Sequence, residues 1–146
     1  MDKFVKDITD KQKQLQLFIN NDLPIIIGKK GVDLFRQNFE NEGFFLEKWK
    51  EVKRRLDPRV RGARSSRKIL TGNTGDLGRS LRYIPEEARV LFYSDLPYAE
   101  AHNEGTTTAG RGRSTTIPKR QFIGDSKELD NLIEQEMDKF MNNLFK

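Results

Sequence analysis

None of the 146 residues is a cysteine. That removes disulfides, thiolate zinc sites, iron–sulfur clusters and thiol catalysis from the functions this chain can perform. There is a single histidine, His102, so any acid–base or metal role would have to be assembled around one imidazole. Long apolar runs are also missing. The longest, Leu23 to Ile27, is five residues and contains Pro24, far short of the ~20 that cross a bilayer. The sequence therefore predicts no membrane span and no membrane partner. The opening residues MDKFVKDITDKQ alternate charges where a secretory leader would carry an apolar centre. Synthesis and action inside a cell is the expectation.

What is present suits a folded chain. Hydrophobic residues make up 35% and charged residues 34%, with a mean hydropathy of −0.76. Ten Phe, three Tyr and one Trp supply enough aromatic bulk for a small core and too much for a disordered chain. At 17.0 kDa the length predicts a single domain, residues 1–146, that buries roughly two-thirds of its unfolded surface without covalent staples.

The net charge of +5 is unevenly placed. Residues 48–68 carry ten Lys and Arg against Glu51 and Asp57, for a local net of +8, and residues 110–124 add +4. Residues 69–109 and 125–146 each sum to −3. Such a basic island can neutralise nucleic-acid phosphates, with steep salt dependence. It can equally form a solvated connector or a rim complementary to an acidic protein. The second reading is favoured, because Trp49 alone accompanies the charges and stacking aromatics are otherwise missing from the island.

Phe4, Ile8, Leu15, Phe18 and Ile19 recur at helical spacing, which predicts an amphipathic helix over 3–21. Pro24 must kink that helix or open a second one, and Val32, Phe35 and Phe39 continue an apolar stripe as far as Gly43. Residues 43–68 read as a long loop, flexible over about 50–68. Two strand-like runs, 79–84 and 88–93, flank a Pro-Glu-Glu turn. Val90 and Phe92 fall on one face, Leu91 and Tyr93 on the other, so both faces of the hairpin are expected to be covered, as in a hairpin packed between helices and neighbouring protein. Residues 105–116 (GTTTAGRGRSTT) hold no large apolar side chain and predict a flexible loop. A short strand is expected in IPKRQFIG. After an N-cap at Asp125 or Ser126, Leu129, Leu132, Ile133, Met137, Phe140, Met141 and Leu144 trace one helical stripe. The fold class is therefore α+β, with N-terminal helices, a small antiparallel sheet built on a hairpin, and a C-terminal amphipathic helix.

No motif demands catalysis. GNTGDLGRS (72–80) fails as a phosphate-binding loop: Asn73 stands where the first glycine belongs and Arg79 replaces the lysine. It reads instead as a tight turn into Leu77 and Leu81. Glu100 or Glu104 is close enough in sequence to orient His102, but no nucleophile elbow or second metal-binding histidine accompanies it. A loop histidine with a structural hydrogen bond is the favoured reading, and neither enzyme activity nor a cofactor is expected.

Four segments, in order, resemble the phage virion morphogenesis family, which includes Mu G-like and tail completion proteins. They are EGFFLEKW (42–49), the Thr-Gly-x-Leu run within 69–80, VLFYSDLPYAEAHNEGT (90–106) and IPKRQFIG (117–124). The positions carrying the resemblance are Trp49; Thr74, Gly75 and Leu77; Tyr98, Ala99, His102 and Gly105; and Pro118, Arg120 and Phe122. It extends in order over nearly the whole chain. The resemblance implies a non-enzymatic phage or prophage protein of the tail or neck, made in the bacterial cytoplasm and carried into the virion. It implies tail or neck proteins as partners, with a homo-oligomeric ring as one arrangement, in which the +8 segment and the acidic segments would be complements. Candidate partner-binding side chains are Arg54, Arg55, Arg59, Arg61, Arg64, Arg67, Arg111 and Arg113. Nucleic acid is the secondary alternative, through 48–68.

Overall fold

The computed structural model describes residues 2–146. It is α+β, with two long helical stretches, three separate two-stranded antiparallel ribbons and several single-turn helices. The chain divides into two compact units, each assembled from segments distant in sequence.

The first unit contains residues up to Val32, Tyr83–Phe92 and the chain from Asp125. Helix α1 (Asp2–Leu17) passes through a π-helical turn (Phe18–Asp22) into α2 (Leu23–Asn41). The π turn ends two residues before Pro24. Proline has no amide hydrogen to give the carbonyl four residues back, and that carbonyl, Asn20 O, instead accepts Ala88 N–H at 3.2 Å. Ala88 lies in the turn between β3 (Leu81–Glu86) and β4 (Arg89–Ser94), at φ 51°. The ribbon lies directly on α2. A Cβ built on Gly28 would fall 2.1 Å from the Tyr83 ring, and one on Gly31 would fall 2.4 Å from the Phe92 ring. These two glycines set the distance of closest approach.

Helix α7 (Lys127–Leu144) begins as the sequence predicts, with Ser126 Oγ accepting Leu129 N–H at 3.1 Å. Phe140 stacks on Phe18 with centroids 4.0 Å apart and planes 4° from parallel. Buried Glu136 accepts from Lys30 and from Lys139, the latter at 3.2 Å.

The helix expected over 3–21 is present as α1 and the π turn, and its stripe is buried at Phe18 and half-buried at Leu15 and Ile19, while Phe4 is 67% and Ile8 44% exposed. Within this chain the hairpin is covered on one face: Val90 and Phe92 are half-buried, while Ile84, Leu91 and Tyr93 are exposed on the side expected to meet neighbouring protein. Strand alternation separates the faces correctly, but it cannot say whether a second layer exists.

The second unit contains Asp33–Arg82 and Tyr93–Gly124. Its core gathers Phe35, Phe39, Trp49, Ile69, Leu77, Leu81, Ala99 and Phe122. After α2, Glu42 adopts φ 53° and the short ribbon β1 (Gly43–Phe44) and β2 (Glu47–Lys48) follows, with Gly43 opposite Lys48. The segment expected to be a loop over 50–68 contains two single-turn helices, α3 (Lys53–Leu56) and α4 (Ala63–Ser66). Gly75, at φ 70°, opens the turn α5 (Asp76–Arg79), and this places Leu77 and Leu81 in the core as predicted. Helix α6 (Ala99–Glu104) leads into a ribbon of β5 (Thr106–Ala109) and β6 (Thr115–Ile117) with a bulge. Composition predicts a loop there. Backbone pairing needs no apolar side chain, and the threonines favour extended backbone. Beyond Ile117 the chain is irregular to Gly124, so the strand expected in IPKRQFIG is confined to its first residue.

Candidate functional site

An irregular segment that is partly buried must find hydrogen-bond partners for its backbone. For residues 118–124 those partners are mostly side chains. Asn103 Oδ1 accepts both Phe122 N–H (2.9 Å) and Ile123 N–H (3.1 Å). Asn38 Nδ2 donates to Phe122 O at 2.9 Å, while its Oδ1 accepts Phe45 N–H at 3.0 Å. Trp49 Nε1–H donates to Gln121 O at 2.7 Å, and Arg120 N–H donates to His102 O at 2.8 Å. The Phe39 ring lies 5.1 Å from Phe122 and 5.7 Å, edge to face, from Trp49. Arg120 is itself buried and donates to Lys50 O (3.0 Å) and Glu51 O (3.4 Å). This clamp thus fixes the start of the basic segment. Gly105, at φ 76°, is required beside it, because a Cβ there would lie 2.9 Å from Lys119 N.

The basic segment contains two kinds of arginine. Arg54 donates to Arg64 O (2.8 Å) and Lys68 O (3.0 Å), joining α3 to α4 and to the chain just beyond it. Arg55 donates to Arg67 O at 3.1 Å and pairs with Glu42 at 2.7 Å. Glu42 also accepts Ile69 N–H at 3.1 Å. Burial opposes ionisation of Glu42, but the Arg55 and Ile69 hydrogen bonds outweigh it, and its pKa is lowered. Arg54 is lowered too, first by burial and then by the charges of Arg55 and Arg67. These two side chains are committed to the fold.

The rest differ. Arg59 pairs with Asp57 at 2.9 Å and Lys68 with Glu40 at 2.5 Å. Lys50, Lys53, Arg61 and Arg64 are exposed and Arg67 is half-buried, and none of the five has an acidic partner among the described residues. Leu56 stands in their midst, 72% exposed. Arg111 and Arg113 are exposed at the far turn of the β5–β6 ribbon.

Thr74 and Leu77 line a cleft of about 420 Å³ with Leu70, Asn73, Tyr98 and His102. The Tyr98 and His102 rings meet edge to face at 6.1 Å. His102 Nδ1 is buried and has no hydrogen-bond partner among the described residues. Burial, then the Arg120 charge, lowers the imidazole pKa, so the ring is neutral at pH 7. Of the two carboxylates considered as orienting groups, Glu104 accepts from Asn103 instead, at 2.8 Å.

The model of the phage virion morphogenesis family matches residues 35–142. The chain belongs to that family. No curated protein and no solved structure matches it. Every motif position named from the sequence falls inside the matched span, and Trp49, Arg120 and Phe122 meet in the clamp of this family member. Sequence reading missed Asn38, Glu42 and the role of Asn103. A signal existed for Asn38, a polar residue between Phe35 and Phe39 on the apolar face of a helix. For Glu42 nothing in the pattern distinguishes it from its acidic neighbours.

Proposed function

We propose that this virion morphogenesis protein is a non-enzymatic assembly component that completes the tail or joins it to the head at the neck. It is made in the host cytoplasm and retained in the particle. The observation that carries the reading is the family match over residues 35–142. Two features support a role in adhesion: side-chain clamps that hold irregular segments in shape, and cations left without acidic partners beside an exposed leucine. On this reading the 50–68 and 105–116 segments meet other tail or neck proteins. Deletion of the gene from its phage should give particles that lack tails or carry unjoined ones, with a loss of infectivity. Normal particles at a normal titre would overturn the proposal.

A second reading, contact with duplex backbone phosphates, is favoured by the same five cations. Its signature is DNA binding that weakens steeply with salt. Absence of binding at low ionic strength removes it.

A further inference from the structure

The β5–β6 ribbon ends in the turn Gly110-Arg111-Gly112-Arg113, closed by Arg113 N–H donating to Gly110 O at 3.1 Å. Gly110 sits at φ 81°, and a Cβ there would lie 2.9 Å from Thr115 Oγ1. Arg113 also has a positive φ, 53°, in a region where glycine is unstrained and an arginine is not. Stability of the turn alone would favour glycine at that position. Both arginines are exposed, and neither side chain makes a hydrogen bond or ion pair among the described residues. From Gly105 to Gly124 the sequence has no aspartate or glutamate, so these cations meet no acidic residue of their own segment. Because Gly110 and Gly112 are bare, the two arginines supply the only side chains of the turn.

We infer that this tip is a DNA contact, whose two arginines enter the minor groove of an A·T-rich duplex. That groove is about 6 Å wide, so it admits a guanidinium but no helix. At A·T tracts it narrows and concentrates a negative potential that draws arginine in. The bare glycines let the backbone of the turn press against the mouth of the groove. Exposed hydroxyls of Thr107, Ser114 and Thr116 flank the tip and suit hydrogen bonds to the phosphates on either side. A protein partner is disfavoured at the tip because residues 110–116 hold no apolar side chain to anchor an interface. Single-stranded nucleic acid is disfavoured because the ribbon has no aromatic side chain on which bases could stack. This contact goes beyond the assembly role: the tip of the 105–116 segment takes DNA, and the rest of that segment remains for protein neighbours. It differs from backbone contact through 50–68 because it distinguishes base pairs.

Fluorescence anisotropy of the full chain with labelled duplexes of about 20 base pairs tests this, at about 50 mM salt, where phosphate contacts are little screened. One duplex is all A·T, one all G·C, and one carries inosine in place of guanine. Guanine projects its N2 amino group into the minor groove. Inosine lacks that group but keeps the major-groove pattern of guanine. The A·T and inosine duplexes should bind alike, each at least about fivefold more tightly than G·C. Arg111→Ala combined with Arg113→Gly should abolish the preference. Glycine suits the positive φ, so this variant should melt no earlier than the parent. Arg111→Gln alone is the milder version and should reduce the preference. Lys53→Ala, Arg61→Ala and Arg64→Ala together should leave the preference intact, whatever they do to overall affinity. Equal affinity for the three duplexes, an A·T preference that inosine does not reproduce, a preference that survives the tip variant, or no binding at all would each overturn the inference. If the tip variant abolishes infectivity while the parent binds all three duplexes alike, the tip meets a protein instead. Normal particles after gene deletion would overturn the assembly role and leave the duplex comparison untouched, so the two readings fail separately.

Discussion

At the scale of single residues, the clamp depends on side chains acting as backbone partners. Asn103→Ala would leave two amide hydrogens, of Phe122 and Ile123, without an acceptor, which should lower stability by about 2–4 kcal/mol in denaturant unfolding. The arginines divide the same way. Arg55→Ala strands the Glu42 carboxylate and should cost about 1–3 kcal/mol, whereas Arg64→Ala, whose side chain is exposed, should stay within about 0.5 kcal/mol of the parent. Equal effects from the two substitutions would contradict the assignment of Arg55 to the fold and Arg64 to the surface. Nothing in the sequence separates them, because both are arginines in one basic run. The difference arises from which carbonyls and carboxylates the folded backbone brings near each.

Three titrating groups make stability pH-dependent, and all act in the same direction. The His102 pKa is lowered from 6.5 by burial and then by Arg120, so the unfolded chain takes up that proton first and folding weakens as pH drops below 6.5. Glu136, lowered by its hydrogen bond to Lys30, and Glu42, lowered by Arg55 and Ile69 N–H against burial, contribute stability above their ordinary value of 4.5. That contribution is lost as pH falls through their lowered folded values. Melting temperature followed from pH 7 downwards should decline in two stages, the second beginning near pH 4.5. His102→Gln should remove the first stage and Glu136→Gln should blunt the second.

At the scale of elements, α2 and the β3–β4 ribbon are matched by absence of side chain. Gly28→Ala or Gly31→Ala would drive a methyl into the Tyr83 or Phe92 ring, and each should destabilise by about 1–3 kcal/mol on thermal unfolding. A neutral or stabilising alanine, as helix propensity alone predicts, would show that the ribbon does not lie where described. Ser126→Ala removes a cap and should cost about 1 kcal/mol. The sequence made α7 legible because cap and apolar stripe are both local. It made the clamp illegible because Asn38 and Phe122 are 84 residues apart, and no local pattern records which carbonyl an asparagine will meet. The α1 stripe was legible as amphipathic, but its exposure was not, since periodicity marks a face that wants cover without saying that this chain supplies it.

At the scale of the whole molecule, the phage virion morphogenesis family and the charge distribution point towards association with other chains. The chain keeps a neutral histidine and shows no cluster of three metal-ligating His, Asp or Glu side chains among its described residues. Its exposed features are charges and apolar groups. If adhesion is the role, His102→Ala in the phage should change plaque formation only as far as it changes folding, so a stabilised background should restore the titre. Persistent loss of infectivity with a normally folded protein would assign the imidazole a direct part.

Composition and local spacing alone determined the missing thiol chemistry, the α+β class, the start and apolar stripe of α7, and the motif order that marks the family. Each of these depends on residue type or on neighbours within a few turns. Only the tertiary structure decided which arginines hold the fold and which are free, which amides clamp the 118–124 segment, and which apolar faces lack a cover. Those outcomes rest on hydrogen bonds and packing between residues far apart in the chain, and such pairings exist only once the backbone has taken its path.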